Sequence, residues 1–307
     1  DSTALLFLLL ENSISFDIAI VDYGLRLESK DEVAYAQNLA QKYNFTCHTY
    51  QAPKIETNFE ANARKIRYDF FETLISQHKY ENLLTAHHLG DRFEWMLMQF
   101  CKGAGCVELA GMQAVSKRSS YTLLRPLLHL DKQELLQYLL KNSIKFFEDA
   151  SNSDEKYKRN EFRHKYSQPL LKKYLSGIKK SFEYMDEDVK ELVSEISLSK
   201  CNALVYFKTS THKRSDIVAI DKYFKSIGKL ITAAEKALLK TESAVIISRE
   251  YVVNQADSYV FIAPYIKAKN IDKELKEKLR LLKVEPKLRG YLASDSKALE
   301  LVSLLLQ

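Results

Sequence analysis

One stretch of the chain concentrates side chains that could do chemistry: His87-His88-Leu89-Gly90-Asp91-Arg92-Phe93-Glu94. Two imidazoles and two carboxylates within eight positions can exchange protons, hold a divalent cation or contact phosphate. If the residues that follow are helical, His87, Asp91 and Glu94 lie on one face of that helix. The alternative is structural, because a His–Asp pair at a helix start commonly caps the helix.

The elements around this stretch decide where it lies. The preceding residues, 82–86, form an apolar run that predicts a short buried strand, and open α/β sheets bind ligands at the carboxyl ends of their strands. Further strands are predicted at 16–21, 45–50 and 121–124, and helices at 31–42, 58–78, 91–101 and 131–141. We therefore expect an α/β domain over residues 1–167, with a parallel sheet and helices on both of its faces.

The rest of the chain predicts a different organisation. Residues 168–200 are helical in pattern and strongly charged, which indicates a connector. Residues 201–265 predict a small α+β domain, with two helices broken near Gly228 and a hairpin over 244–263 whose turn lies at 254–257. Residues 266–307 predict a helical carboxyl-terminal segment that is rich in lysine and carries no chemical motif.

Composition indicates a soluble protein of two domains. The chain has 307 residues, and its net charge of +6 permits binding to a polyanion without establishing it. No apolar run approaches the roughly 18 residues of a membrane span, and no signal peptide is recognisable. The four cysteines, at positions 47, 101, 106 and 201, lack Cys-x-x-Cys and zinc-ligand spacing. The absence of both spacings argues against a disulfide framework and predicts a reducing cytoplasm.

The amino terminus and the end of the first strand are candidate ligand sites. Asp1 and Ser2 open an apolar, helix-like run without an initiator Met, so we expect further residues upstream. A helix start after a glycine turn can bind phosphate, and the glycines would have to lie in that upstream segment. Asp22, Tyr23 and Gly24 follow a predicted strand, where a purine or ribose could lie or where a turn simply leads into a capped helix.

Two further clusters are rich in arginine. Arg64, Arg67 and Tyr68 recur at helical spacing beside an apolar side, which suits phosphate binding or a solvated helix face. Arg159 and Arg163 are separated by one helical turn and flank Asn160, a pattern that could grip nucleic-acid phosphate or a reacting phosphoryl group. A basic helix on a protein surface is common, so neither cluster alone is specific.

Taken in chain order, these motifs resemble those of the tRNA(Ile)-lysidine synthases, a family within the PP-loop ATP pyrophosphatases. Asp1-Ser2 resembles the end of the family's Ser-Gly-Gly-x-Asp-Ser loop, and residues 83–94 resemble its Leu-x-Thr-Ala-His-His-x-Asp-Asp-Gln-x-Glu motif. The other similar segments are residues 21–26, 63–68, 102–105, 109–112, 125–128, 148–152 and 159–163. The chain departs from the family at Tyr23, which replaces His, at Gly90, which replaces Asp, and at Arg92, which replaces Gln.

The resemblance implies a Rossmann-like PP-loop fold of the HUP type and a ligase reaction in two steps. ATP would adenylate the C2 oxygen of the wobble cytidine in tRNA(Ile) with a CAU anticodon and release pyrophosphate. Free L-lysine would then attack C2 and expel AMP, which changes decoding from AUG to AUA. The sequence leaves open whether the chain acts as a monomer or as a homodimer.

The resemblance also implies roles for individual residues. ATP would contact Asp1, Ser2, Asp22, Gly24, His87 and His88, and Asp1 and Asp91 would hold Mg2+. Catalysis would rest on Asp91, Glu94, Arg64, Arg67, Arg159 and Arg163. The tRNA would contact Asn160, Lys172 and Lys173.

Three other interpretations stay open at this point. A PP-loop tRNA thiolase would usually use paired cysteines, and a small-molecule ligase would not need the basic connector or a second domain. A non-catalytic RNA-binding protein is a third reading, since the glycines of the phosphate loop do not occur in this chain. Transfer of labelled lysine to tRNA would separate these readings.

Overall fold

A computed structural model describes residues 1–24, 28–147, 158–194, 196–267 and 271–307. The predicted motif at 148–152 and the last two residues of the motif at 21–26 lie outside the described residues. The chain divides into two compact units, Asp1–Asp186 and Glu187–Gln307. Within the described ranges, no helix combines the length and the apolar character needed to cross a membrane.

The first unit alternates strands and helices, as predicted. Its strands are β1 (Ile18–Asp22), β2 (Cys47–Gln51), β3 (Asn82–Leu84), β4 (Val115–Lys117) and β5 (Thr122–Leu124). Its helices are α1 (Ser2–Glu11), α2 (Glu28–Tyr43), α3 (Phe59–His78), α4 (Leu89–Phe100), α5 (Cys106–Ala110), α6 (Lys132–Lys141) and α7 (Lys158–Phe162). A π-helical turn, Arg163–Ser167, leads from α7 into α8 (Gln168–Ser194).

Parallel pairing dominates the first unit. β1 pairs with β2 in parallel, and β3 pairs in parallel with β5, whose other neighbour is the antiparallel strand β4. The predicted α/β class with parallel strands is confirmed, whereas β4 was not predicted. β4 is as short as β3 and β5, but two of its three residues are polar and both of its ends are exposed, so it lacks the apolar run that identified the other two strands.

Two apolar clusters hold the helices of this unit in place. Leu5 and Leu9 of α1 pack with Leu135 and Leu139 of α6. In the second cluster, residues of α4 pack with residues of α8: Leu89, Phe93, Leu171 and Phe182. α8 as far as Asp186 therefore belongs to the first unit, which differs from the predicted boundary at residue 167.

The second unit is built on an antiparallel sheet with the order β6-β7-β10-β9-β8. Its strands are β6 (Ser199–Cys201), β7 (Leu204–Lys208), β8 (Ala244–Ile247), β9 (Tyr251–Ala256) and β10 (Tyr259–Pro264). Its helices are α9 (Lys213–Ser226), α10 (Ala233–Thr241), α11 (Lys273–Leu281), α12 (Pro286–Ser294) and α13 (Ser296–Leu305). The predicted break near Gly228 is confirmed, because α9 ends before this residue and α10 begins after it.

The predicted hairpin over 244–263 is wrong in detail, because three strands occupy this segment instead of two. The residues read as a turn, 254–257, mostly continue β9, and the chain reverses at Asp257 and Ser258 instead. Asn254 is fully buried and its Oδ1 accepts a hydrogen bond of 3.0 Å from the backbone N–H of Glu285. This tertiary partner allows a typical turn residue to lie inside a strand.

The helices after residue 270 pack on the same sheet. Leu279, Leu288 and Leu292 are fully buried and share a core with Val252 and Phe261 of the sheet. α9 and α10 contribute a second core with other residues of the same strands. The segment from 271 onward is therefore part of the second unit, and it does not stand apart as the separate segment predicted for 266–307.

Candidate active site

His88 joins the loop after β3 to α4. Its backbone lies at the N-cap position, its Nδ1 accepts a hydrogen bond from Gly90 N–H (3.0 Å), and its own N–H donates to Asp91 Oδ2 (3.1 Å). These reciprocal bonds satisfy two N–H groups at the helix start. The capping alternative stated for this His–Asp pair is therefore confirmed.

The cap also fixes the other side of the His88 ring. Because Nδ1 accepts a hydrogen bond, the neutral ring carries its proton on Nε2. Nε2 lies 3.6 Å from Asp1 Oδ2 and 3.7 Å from Asp91 Oδ2. One imidazole thus lies between Asp1, which occupies the N-cap position of α1 without a side-chain cap hydrogen bond, and the first carboxylate of α4.

His87 has a different environment from the one expected. Because α4 begins at Leu89, His87 precedes the helix and does not share a helical face with Asp91 and Glu94. Its Nδ1 lies 2.8 Å from Thr85 Oγ1. Burial lowers the pKa of His87 to about 4, although the nearby Asp91 carboxylate opposes this change. Burial also lowers the pKa of His88, so both imidazoles are neutral at neutral pH.

Two carboxylates on α4 meet two guanidiniums. Arg159 donates from its terminal N–H2 to Asp91 Oδ1 (2.7 Å) and from Nε to Glu94 Oε2 (3.1 Å). Arg163 binds Glu94 with both ends of its fork, Nε to Oε1 at 2.6 Å and a terminal N–H2 to Oε2 at 3.1 Å. We call these four side chains the charge cluster.

Pairing is what allows Glu94 of the charge cluster to be buried. Glu94 is 2% exposed, and a buried carboxylate without a counter-charge would cost several kcal/mol. For Asp91, burial raises the pKa, but His88, Arg159 and the hydrogen bond from His88 N–H outweigh burial and hold the pKa below its ordinary value. Both carboxylates can therefore act as anions that orient a cationic or hydrogen-bonding substrate group.

The end of β1 and the start of α3 form the next part of the site. Asp22 Oδ1 accepts a hydrogen bond of 2.8 Å from Gly24 N–H, and Gly24 has a φ of +63°, which favours glycine. Tyr23 donates from its hydroxyl to the carbonyl of Ala63 on α3 (3.0 Å). The tight turn at the carboxyl end of β1 is thereby fixed against α3.

α3 contributes guanidinium groups to this side of the unit. The guanidinium of Arg64 lies 4.7 Å from the centre of the Tyr68 ring. Arg64, Arg125 and Arg159 all lie close enough to lower the pKa of His87. Arg67, the other predicted residue of this helix, is half-buried. Burial raises the pKa of Tyr23, and the nearby charge of Arg67 opposes this change.

Arg125 belongs to this environment, although sequence analysis placed it only in a matching segment and gave it no role. It is 6% exposed, directly follows β5, and donates to the carbonyl of Gln113 (2.7 Å) and to Ser116 Oγ (3.2 Å). Its Nε and the hydroxyl of Tyr68 are buried, and neither has a hydrogen-bond partner among the residues that the structure describes. Its position at the carboxyl end of a parallel strand is the signal that could have identified it.

The predicted tRNA contacts lie on α7 and α8. Asn160 is buried on α7, within the same turn as Arg159. Lys172 and Lys173 are exposed on α8, where the ammonium of Lys173 lies 5.2 Å from the centre of the Tyr174 ring. The structure therefore places Asn160 beside the charge cluster and the two lysines in solvent.

A divalent cation would find few ligands from the protein alone. Among the residues that the structure describes, no group of three or more His, Cys, Asp or Glu side chains is arranged to hold a metal ion. Asp1 and Asp91 nevertheless lie on either side of His88 Nε2. Since Mg2+ commonly binds one or two carboxylates and takes its other ligands from phosphates and water, this pair fits an ion that arrives with a nucleotide.

Comparison with known proteins gives consistent results. A family model described as a PP-loop domain matches residues 1–170. A tRNA(Ile)-lysidine synthase of Helicobacter pylori is 40% identical over 298 residues, which are 96% of this chain and 86% of that protein. The enzyme of the same name from Wolinella succinogenes is 39% identical over 292 residues, 95% of this chain and 89% of that protein.

A solved structure supports the fold independently. The U34-tRNA thiolase NcsA from Methanococcus maripaludis, described with its [4Fe-4S] cluster, superposes with a TM-score of 0.50 over 66% of this chain and 70% of its own. The two sequences are 16% identical, so this likeness concerns the fold alone.

Proposed function

The chain belongs to the tRNA(Ile)-lysidine synthase family, and we propose that it ligates free L-lysine to the wobble cytidine of tRNA(Ile) at the expense of ATP. One observation carries this proposal above the others. The His88 imidazole lies between Asp1, at the start of α1, and Asp91, in the charge cluster. A phosphate site at the start of α1 and a site for the attacking lysine amine would therefore lie next to each other.

In the first step, we propose that ATP binds along the start of α1 and the turn after β1. Free N–H groups at the start of α1 and the hydroxyl of Ser2 would bind phosphate, while Asp22 and Gly24 would face the ribose or purine. His87 and His88 are neutral and can donate hydrogen bonds to phosphate without adding charge. Arg64 and Arg67 would offset the negative charge of the phosphates.

Asp1 and Asp91 are the residues that would hold Mg2+ bound to the ATP phosphates. The ion would supply charge neutralisation for the leaving pyrophosphate. Both carboxylates lie within 4 Å of the same ring nitrogen, so they face a common space. Adenylation of the C2 oxygen of cytidine makes C2 electrophilic and converts that oxygen into part of a leaving group.

In the second step, lysine attacks C2, the bond between C2 and the oxygen of AMP breaks, and one amine proton is lost. Asp91 and Glu94 suit the recognition of the incoming amine, because Asp91 is held as a half-buried anion and Glu94 is buried beside the two guanidiniums. Arg159 and Arg163 hold these carboxylates in the present arrangement and would move toward the adenylated nucleotide as lysine enters. A carboxylate of the cluster would accept the amine proton.

The tRNA is proposed to contact α7 and α8. Asn160 lies beside Arg159, and Lys172 and Lys173 are exposed on the next helix, where they can reach backbone phosphate. We also propose a cytoplasmic location, where tRNA is modified. The described residues include all four cysteines and contain no disulfide, which suits a reducing compartment.

The proposal is tested by incubating the chain with ATP, labelled lysine and an unmodified tRNA(Ile) transcript. We expect label in the wild-type tRNA and none with Asp91→Asn, since the amide removes the negative charge that the cluster needs. Asp31→Asn, an exposed change on α2, is the matched control and should retain activity. Circular dichroism melting checks that both variants fold.

Other outcomes would refute parts of this proposal. Full turnover by Asp91→Asn would exclude the charge cluster from the reaction. Incorporation of sulfur, a small adenylated product or tRNA binding without label would show a thiolase, a small-molecule ligase or a non-catalytic RNA-binding protein, respectively.

A further inference from the structure

An open groove lies on the first unit, between the end of α3 and the hairpin of β4 and β5. Its volume is about 590 Å³, and its charged lining residues are Lys79, Glu81, Lys117 and Arg118. Ser76 and Ser120 add hydroxyl groups to the same lining. Three cations face one carboxylate here, so the groove is electropositive.

Among the described residues, the cations on the hairpin have no carboxylate partner that would give them a structural role. Within the part of the chain that the structure describes, no carboxylate forms an ion pair with Lys117 or Arg118, and both are exposed. Arg118 N–H donates to the carbonyl of Tyr121 (2.8 Å), a tight turn that presents Arg118 and Ser120 together. Lys79 differs, because it directly follows the end of α3, where free carbonyl groups favour a cation in any case.

The groove is distinct from the candidate active site. Thr122 begins β5 and Glu81 directly precedes β3, so the groove lies at the amino ends of these parallel strands. His87, Asp91 and Arg125 follow the carboxyl ends of the same strands, where this class of sheet binds its ligands. A nucleotide in the active site would therefore leave the groove unfilled.

Positive charge nevertheless continues from the groove to the active site. Burial lowers the pKa of Arg125, and Arg118 and Arg64 lie close enough to lower it further, whereas Tyr68 opposes them. Burial lowers the pKa of His87, and the positive charge of Arg64 lies close enough to lower it further. A ligand that follows this charge must be extended and polyanionic, because it has to reach from one edge of the sheet to the other.

We infer that this groove binds phosphate groups of the tRNA backbone while another part of the same tRNA occupies the active site. Arg118 provides a planar fork for two phosphate oxygens, Lys117 provides a second charge, and the serine hydroxyls can donate to phosphate. Small ligands usually bind in pockets that enclose most of their surface. This groove is open, so it suits a segment of nucleic-acid backbone better than a small ligand. This inference relies on the proposed function only in taking tRNA as the partner.

The test uses the full chain with the double substitution Lys117→Gln/Arg118→Gln. Affinity for the unmodified tRNA(Ile) transcript is measured by fluorescence anisotropy between about 50 and 200 mM salt. The matched control is Lys42→Gln/Lys141→Gln, which removes two exposed cations of the same unit far from the groove in sequence. Charge-preserving Lys117→Arg/Arg118→Lys guards against a folding defect.

We expect the double substitution to weaken tRNA binding about 5- to 50-fold at low salt. The slope of log affinity against log salt should fall by about one to two, because each lost phosphate contact removes about 0.9 from it. The control and the charge-preserving variant should keep the wild-type slope. A slope that matches the control would overturn the inference.

The outcome is separable from that of the proposed function. If the wild type transfers lysine to tRNA and the slopes of test and control variants agree, the groove is refuted and the function stands. If the wild type transfers no lysine but the slope still falls with the double substitution, the function is refuted and the groove stands. A smaller salt slope in the charge-preserving variant would also count against the groove, because that variant keeps both charges and loses only the fork of Arg118.

Discussion

Arg92 on α4 forms a forked ion pair with Asp186 on α8, with its two terminal nitrogens 2.9 Å and 2.5 Å from the two carboxylate oxygens. The guanidinium is buried, whereas the Asp186 side chain is 42% exposed. Arg92 Nε also donates to the carbonyl of Ala110 (2.9 Å), and the guanidinium lies 4.3 Å from the centre of the Phe182 ring. Arg92, one of the three residues that depart from the family motifs, thus attaches the helix of the candidate site to α8.

The first prediction concerns this ion pair. Asp186→Ala should destabilise the chain by about 2–4 kcal/mol, because it leaves the buried guanidinium of Arg92 without its counter-charge. In an Arg92→Met background, which keeps most of the packing, the same substitution should cost less than about 1 kcal/mol. Urea unfolding of the four variants of this double-mutant cycle measures the difference.

Lys180 and Glu183 supply the matched control for that cycle. They form an exposed ion pair on α8, with 55% and 60% of their side chains exposed. Glu183→Ala should therefore change stability by less than about 1 kcal/mol. Equal costs for Asp186→Ala and Glu183→Ala would show that the Arg92 pair contributes no more than a surface pair.

The second prediction concerns Gly90. A Cβ at this position would lie 2.7 Å from His88 Cε1, so Gly90→Ala must displace the imidazole that caps α4. We expect at least a tenfold loss of lysine transfer, although replacing glycine by alanine inside a helix normally stabilises it by about 1 kcal/mol. Gly177→Ala is the control, since nothing lies within 4 Å of its added methyl group. Similar activities for the two variants would contradict a role for the His88 position.

The third prediction concerns the forked contact between Arg163 and Glu94. Arg163→Lys keeps the positive charge but replaces the planar fork, which donates from two nitrogens to the two carboxylate oxygens, with a single shorter-reaching nitrogen. We expect kcat/KM for lysine to fall about 10- to 100-fold, which corresponds to about 1.4–2.8 kcal/mol. Arg280→Lys changes an exposed pair with Glu277 and should stay within about twofold of wild type. Unchanged kinetics for Arg163→Lys would show that charge alone suffices at this position.

The fourth prediction concerns acid stability. The pKa of His87 is lowered from 6.5 to about 4 by burial, so between these pH values the unfolded chain binds a proton that the folded chain does not. Stability should therefore fall as the pH drops through this interval, by about 1–2 kcal/mol at pH 5 from this residue. His87→Asn should lose less stability between pH 7 and pH 5 than the wild type does.

An exposed histidine gives the comparison for that measurement. His129→Asn replaces an exposed side chain outside the charge cluster and should keep the pH dependence of stability of the wild type. Urea midpoints at the two pH values suffice for all three chains. Parallel pH profiles for the wild type and His87→Asn would contradict the buried, neutral state of this imidazole.

The elements of the first unit were largely predictable because their apolar periodicity reflects burial on the sheet. The helix predicted at 58–78, for example, is α3 (Phe59–His78), and its start and end match within one residue. The strands of the second unit were less predictable, since Asn254 resembles a turn residue in any local window. Only its buried contact with Glu285, 31 positions away along the chain, explains why it lies in a strand.

The candidate site shows the same limit. The sequence predicted Asp91 and Glu94 as anions and Arg159 and Arg163 as cations, but not that the four would pair with each other. That pairing depends on how α7 approaches α4, and local spacing contains no information about this approach. The roles of Arg92 and Arg125 were not predicted for the same reason, because a buried arginine is specified by partners such as Asp186 and Gln113.

The π-helical turn at Arg163–Ser167 joins α7 to α8 and determines which side of the helix axis the residues of α8 face relative to those of α7. Before this turn, Arg159 contacts Glu94, and after it, Leu171 packs with Leu89 of the same helix. Inserting or deleting one residue in this turn would rotate the side chains of α8 by about 100° around the helix axis. The length of this segment is thus as constrained as its composition, because one inserted or deleted residue would separate the reactive groups from the packing that supports them.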